Sequence, residues 1–190
     1  VEAASTKPFG FTPFYPGPGW GGHCIPIDPF YLSWKARQYG TTAHFIERAG
    51  EVNTAMTGFV IQKVTEALNR HRKPVNGSDI LVLGVAYKPD VDDMRESPAL
   101  PLIKRLRKMG ADVSYHDPHI PAFPSLRDYP DLRLESVDLT AERLRNSDGV
   151  VVVTDHSDYD FEWVARHAPL IVDTRNCVPE AIDDTTVVRA

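Results

Sequence analysis

This sequence predicts an α/β architecture with a mainly parallel sheet, on three observations. From residue 76 onward, short apolar runs alternate with stretches of helical period, the pattern of strands joined by crossover helices. Ahead of them, over residues 43–72, apolar residues recur three to four apart in a run too long for a strand. Near the start lies PGPGWGGHCIPIDPF, where glycines and prolines frame a single cysteine and disfavour regular structure. The sum is a Rossmann-like sheet preceded by a long central helix and a cysteine-bearing loop.

The elements follow in order. Residues 1–22 read as loop, rich in Gly, Pro and aromatics. A helix is expected from Pro29, with Asp28 as N-cap and Pro29 at the first helical position, ending at Gly40. The next spans residues 43–72, with Phe45, Ile46, Ala49, Val52, Met56, Phe59, Val60, Val64, Ala67 and Leu68 on its apolar face. Arg70, His71 and Arg72 suit its C-terminal dipole, and Pro74 follows. At about 1.5 Å per residue it would be roughly 45 Å long, more than a small domain needs for its own core. It is either a buried spine between two domains or the core of a homodimer, and the two are compatible. Gly50, Thr54, Thr57 and Gly58 would let another helix approach closely. KPVNGS, residues 73–78, marks a boundary, so residues 1–75 hold the loop and central helices and 76–190 the sheet.

Within the sheet, SDILVLGVAY is a first buried strand. SPALPLIKRLRKMG is a helix capped by Ser97, with Pro98 in its first turn and Gly110 past its end. ADVSYHDP, GVVVVT and PLIVDTRN are three further strands, and TAERLRNSDG and YDFEWVARHA the helices between them.

Composition narrows the function classes. A 42% hydrophobic share in 190 residues sustains an ordinary core. No apolar run approaches the ~20 residues of a membrane-spanning helix, so no membrane role is expected. A net charge of −5 without a basic stripe argues against nucleic acid as a partner. Cys24 and Cys177 follow no metal-ligand spacing, and no secretory signal is present. No metal, no disulfide and a cytoplasmic location are expected. The chain begins without an initiator Met and reads as a fragment lacking an N-terminal part.

Ligands of parallel sheets bind beyond the carboxyl ends of the strands, so the first β-α turn is a candidate site. A dinucleotide fold would carry G-x-G-x-x-G there; LGVAYKPDVDDMRESP has Gly84 alone. Its Lys88 and Arg95 suit phosphate oxygens, unless the loop is merely a solvated charged one. Asp117 stands where such folds put a ribose-binding acid, but before Pro118 it reads rather as a turn former. Arg175 ends the fourth strand on the same rim, as an anion contact or a surface ion pair. In the opening loop, glycines allow close approach and prolines limit ordering entropy, so Cys24 could be displayed to an electrophilic carbon. Asp28, four residues on, could position a water or relay a proton. The alternative for Cys24 is a small buried hydrophobe; Cys177 has no such frame and is expected to be structural.

FYPGPGWGGHCIPIDPF, LGVAYKPDVDDMRESPA and IVDTRN, in that order, resemble the UDP-glucose/GDP-mannose dehydrogenase family of nucleotide-sugar dehydrogenases. The resemblance covers nearly the whole chain and corresponds to the family's C-terminal portion: catalytic-cysteine loop, central dimerisation helix and UDP-binding domain. It implies two NAD-dependent oxidations of a UDP-sugar's primary alcohol to a carboxylate, with Cys24 as nucleophile through a thiohemiacetal and a thioester. Asp28 matches the family's assisting acid. Phe14, Tyr15, Gly21 and Gly22 match the loop that wraps the sugar, and Tyr87, Lys88 and Arg175 match its substrate contacts. Arg95 matches a residue reaching toward NAD.

Two departures refine this. Ile27 stands where UDP-glucose enzymes commonly have lysine, and His23 precedes the thiol, which resembles the UDP-N-acetylhexosamine branch, of UDP-GlcNAc type. The family's NAD-binding domain is missing, so the resemblance implies NAD held mainly outside this chain and no turnover by the chain alone. The partner-subunit arginine has no clear match, though Lys7 is nearby. The alternatives are a UDP-glucose or UDP-N-acetylmannosamine dehydrogenase, or a non-catalytic UDP-sugar-binding or dimerisation module. A cysteine hydrolase would need a positioned histidine base, and none of the seven histidines is an obvious candidate.

Overall fold

The computed structural model describes residues 1–179 and 185–190. Along the chain run α1 (Glu2–Ser5), α2 (Asp28–Gln38), α3 (His44–Arg70), β1 (Asp79–Leu83), α4 (Ala99–Lys108) and β2 (Asp112–His116). Then come α5 (Ala141–Asn146), β3 (Gly149–Val152), α6 (Phe161–His167), β4 (Leu170–Asp173) and β5 (Thr186–Arg189). The strands form one sheet in the order β2-β1-β3-β4-β5, parallel at every pairing, as an α/β Rossmann-like fold requires. The chain leaves β1 to one side for β2 and returns to the other for β3. The switch point, and the crevice that goes with it, therefore lies beyond the ends of β1 and β3.

The inner strands β1, β3 and β4 form because their side chains are buried on both faces. Ile80 and Val82 point into a core with Val60, Val64 and Leu68 of α3 and Leu102, Ile103 and Leu106 of α4. Leu81 and Leu83 point the other way, toward Leu144 of α5 and Val164 of α6. Both short helices carry side-chain caps: Thr140 accepts from Arg143 N at 3.0 Å and Asp160 from Trp163 N at 2.9 Å. The C-terminal half of α3 thus shares one core with the sheet that the proposed 75/76 division assigns elsewhere. Of that second unit, residues 180–184 lie outside the described residues.

Four expectations need correction. A short helix, α1, interrupts the stretch read as loop. A fifth strand, β5, adds to β4; TVVR is too short and only half-buried, as an edge strand can be, and gave no strong pattern. Asp28 is the first residue of α2 rather than its N-cap, a position held by Ile27, and its carboxylate makes no cap bond. The reason is a turn already closed before it, since the Cys24 carbonyl accepts from Ile27 N at 3.1 Å and Asp28 N at 2.8 Å. Helix α4 starts at Ala99 with Pro98 in the cap position, although Ser97 Oγ still accepts from Ala99 N at 3.2 Å.

Helix α3 has 27 residues and is about 40 Å long. Gly50 is where α2 closes on it: a Cβ there would lie 2.4 Å from the Phe30 ring. Val60, Val64, Ala67 and Leu68 are buried, but Phe45 near its start is 93% exposed.

Candidate active site

The loop from β1 to α4 has no regular structure, and the molecule holds it by its backbone. Val85 N and Ala86 N donate to Asp117 Oδ2 at 2.7 and 3.0 Å, and Tyr87 N to the Asp93 carbonyl at 2.9 Å. The other Asp117 oxygen accepts from His119 N at 2.8 Å and Ile120 N at 3.1 Å. Burial alone would raise the Asp117 carboxyl. The bonds from His156 and from the Val85, Ala86 and His119 amides outweigh that and hold it at about 2. This acid is therefore a buried knot for the rim, with its oxygens already in use.

The cysteine loop lies across that rim. Gly22 N donates to the Arg95 carbonyl at 2.9 Å, and Trp20 N to Asn53 Oδ1 of α3 at 3.2 Å. Gly21 approaches so closely that a Cβ would sit 2.5 Å from Tyr87 Cβ and 3.0 Å from the Glu96 carbonyl oxygen. A Cβ on Gly17 would sit 2.5 Å from Arg175 Nη1. The loop thus runs from the end of β4 to the end of β1, about 10 Å at two interstrand spacings. Cys24 follows, with an exposed side chain, and Asp28 stands one turn on, also exposed. Cys177 differs: burial first, then the charges of Asp173 and Asp155, push its thiol up and keep it protonated.

The predicted site residues are only partly gathered. Gly21 and Gly22 meet Tyr87 at the rim, and Arg175 meets Gly17 at the other end of the same loop. Lys88 is exposed beside Tyr87, its Nζ 5.5 Å from the ring centroid. Arg175 is mostly buried; its Nε donates to the Val153 carbonyl at 2.7 Å, and it stands 3.8 Å from Asp155. Among the described residues, its Nη atoms have no hydrogen-bond acceptor. Arg95 is forked onto Asp93, Nε at 2.9 and 3.0 Å and Nη2 at 2.6 Å. That bond raises the guanidinium's pKa, and it also lies within electrostatic reach of Cys24. Phe14 and Tyr15, 81% and 63% exposed, stay outside this group.

A cleft of about 690 Å³ opens on the far side of the cysteine loop, lined by Trp20, His23, Asn53, Arg95 and Arg105 among others, without Cys24, Lys88 or Arg175. Elsewhere on the rim, ligand-type atoms of Asp90, His119 and His156 lie within 4.8 Å of one another. Both His156 nitrogens are committed, however: Nδ1 accepts from Asp90 N at 2.9 Å, and Nε2 meets Asp117 Oδ2 at 3.1 Å. Sequence reasoning missed His156, because an isolated histidine after a strand carries no pattern.

A five-stranded parallel sheet with its switch point beyond β1 and β3 defines the class, an α/β Rossmann-like protein, a fold that takes its ligands across the strand ends. Comparison with known proteins makes this particular. Residues 81–180 match the UDP-binding domain of the UDP-glucose/GDP-mannose dehydrogenase family, and residues 1–55 match its central domain. The chain belongs to that family of nucleotide-sugar dehydrogenases, oxidoreductases acting on CH–OH groups. A UDP-N-acetyl-D-mannosamine dehydrogenase from Methanococcus maripaludis is 40% identical over 144 residues, 76% of this chain and 30% of that protein. An NDP-N-acetyl-D-galactosaminuronic acid dehydrogenase from Ralstonia solanacearum is 34% identical over 84% of this chain and 36% of its own. A solved UDP-D-ManNAc dehydrogenase from Pyrococcus horikoshii superposes with a TM-score of 0.81 at 28% identity, covering 100% of this chain and 42% of that one. The chain spans about a third of the length of these curated relatives.

The family implies NAD, and this sheet does not fit it in the usual dinucleotide manner. The β1 turn has one glycine where three are needed, and Asp117, in the ribose-acid position, is buried with its oxygens occupied. Among the described residues, helices long and apolar enough to cross a membrane are absent.

Proposed function

We propose that the chain is the substrate-binding and catalytic-cysteine portion of an NAD-dependent UDP-N-acetylhexosamine 6-dehydrogenase, working in the cytoplasm. What supports this is the seating of the Cys24 loop on the rim of a UDP-binding domain, through Gly21 against Tyr87 and Gly22 N on the Arg95 carbonyl. NAD, held outside these residues, is the acceptor of both hydrides. Cys24 Sγ adds to the aldehyde-level carbon of the sugar and keeps it fixed, first as a thiohemiacetal, then as a thioester that water cleaves to the carboxylate. Asp28, on the same turn, takes and returns the protons. Lys88 and Arg175 bind the diphosphate, Tyr87 and the glycine loop enclose the sugar with Phe14 and Tyr15, and Arg95 faces NAD. The sugar in this reading is N-acetylglucosamine. N-acetylmannosamine, in the name of the M. maripaludis relative, is the alternative, and NADH production by the longer protein on a panel of UDP-sugars decides between them.

The test on this chain is UDP binding. Calorimetry is expected to find measurable affinity that Lys88→Ala weakens about tenfold, the worth of one charge-assisted phosphate contact. Equal affinity of the two proteins would remove Lys88 from the site.

The same reading makes the chain a homodimer through α3. The exposed half of that helix and α2 beside it present Phe45, Val52, Phe59, Leu32 and Trp34 to solvent, apolar side chains that a second copy would cover. Light scattering at high micromolar concentration is expected to give twice the chain mass; a stable monomer would refute it.

A further inference from the structure

Lys88 sits in a loop with no secondary structure, and its placement is set by what holds the residues on either side. Two positions before it, Ala86 N is held by Asp117. Two positions after it, Asp90 N is held at 2.9 Å by Nδ1 of His156, whose side chain is fully buried. Asp90 has a φ of 60°, which few residues adopt without support. Its carboxylate is pinned too, accepting from Ser157 N at 2.8 Å and Ser157 Oγ at 2.9 Å. The two anchors are joined to each other through His156 Nε2 and Asp117 Oδ2 at 3.1 Å. The ring's roles are fixed by its neighbours. Nδ1 faces a donor and so carries no proton, which puts the proton on Nε2, facing the carboxylate.

We propose that His156 is a positioning residue for nucleotide binding: its Nδ1, by holding the Asp90 amide, sets where the Lys88 ammonium meets the substrate's diphosphate. The proposal rests on the reading that Lys88 binds phosphate. His156 touches no substrate itself. It works across the switch point, from the loop after β3 onto the loop after β1, and couples the two walls of the crevice. A histidine suits the task because one flat ring offers an acceptor to a backbone amide and a donor to a buried carboxylate at once. The ring and the Asp117 carboxylate are fully buried, so no water replaces the bond between them, while Asp90 stands at the exposed end of the pair.

Two substitutions split the two bonds. His156→Asn keeps an acceptor at the Nδ1 position and loses the donor to Asp117. His156→Gln keeps a donor near the Nε2 position and loses the acceptor for Asp90. Both remove ring volume and are expected to lower the melting temperature of the chain similarly. UDP calorimetry and amide exchange at Asp90 separate them. His156→Asn is expected to keep UDP affinity within about threefold of wild type and a protected Asp90 amide. His156→Gln is expected to lose about tenfold in affinity, with fast exchange at Asp90. If both variants lose affinity in step with melting temperature, His156 only supports the fold and the proposal is overturned. A normal Lys88→Ala effect with unchanged affinity in His156→Gln also overturns it. Unchanged affinity in Lys88→Ala instead overturns the phosphate reading beneath it, so the two failures are distinguishable.

Discussion

Replacing Cys24 with alanine is expected to cut NAD reduction by about 10³-fold or more in a protein that joins this chain to the family's NAD-binding domain. The same substitution is expected to leave UDP affinity of the chain within about twofold, since in the proposed mechanism the sulfur meets the sugar carbon and not the diphosphate. The size of the first effect follows from the chemistry. A carbon oxidised twice passes through an aldehyde, and without a covalent tether that aldehyde is free to leave or to hydrate. Only a thiol can hold it as a thiohemiacetal and then as a thioester. In the proposed mechanism the exposed Cys24 is that thiol; burial pushes the Cys177 thiol up and keeps it protonated, so it cannot substitute. NADH formation on a UDP-N-acetylhexosamine is the measurement. Turnover undiminished in Cys24→Ala would favour the other reading of this chain, a UDP-sugar-binding and dimerisation module with no covalent chemistry.

Gly21→Ala is expected to lower the same turnover by about 10²-fold while leaving the sheet folded. The new methyl would stand 2.5 Å from Tyr87 Cβ and 3.0 Å from the Glu96 carbonyl oxygen, one of them backbone, so the loop must lift. Lifting breaks the bond from Gly22 N to the Arg95 carbonyl and, in the proposed mechanism, moves Cys24 away from the carbon it attacks. A shift of about 1 Å at a reacting centre is enough for a loss of this size. Circular dichroism and the melting curve check that the fold survives, because the loop contributes little to the two cores of the sheet. Full activity in a folded Gly21→Ala protein would mean that the cradle does not position the thiol.

Much of the fold was legible without coordinates. β1, β3 and β4 are nearly pure apolar runs, and a strand buried on both faces has to be. α3 announces itself by period, and Gly40 and Gly110 end their helices in the left-handed conformation that favours glycine. What escaped notice was marginal in energy. β5 is an edge strand of four half-buried residues, and α1 is a single turn. Asp28 had the right residue type for a cap and lost the position to a turn closed by the Cys24 carbonyl. The site divides along the same line. Cys24, Lys88 and Arg175 lie in local motifs with a chemical logic of their own. His156 and Asn53 act on loops 66 and 33 residues away, and a single histidine or asparagine has no local signature to read.

By itself the sequence determined the four strands from β1 to β4, where most helices end and which thiol stands in a glycine-proline frame. These are properties of neighbours along the chain, fixed by side-chain size, period and backbone freedom. Only the tertiary structure decided that Asp117 would be a buried anchor and not a ribose ligand, and that the cysteine loop would rest on the ends of β1 and β4. Those outcomes depend on which groups from distant segments reach a buried carboxylate or a bare backbone first. That competition is settled by packing in three dimensions, because an unpaired donor or acceptor in a sealed crevice costs more than any local preference returns.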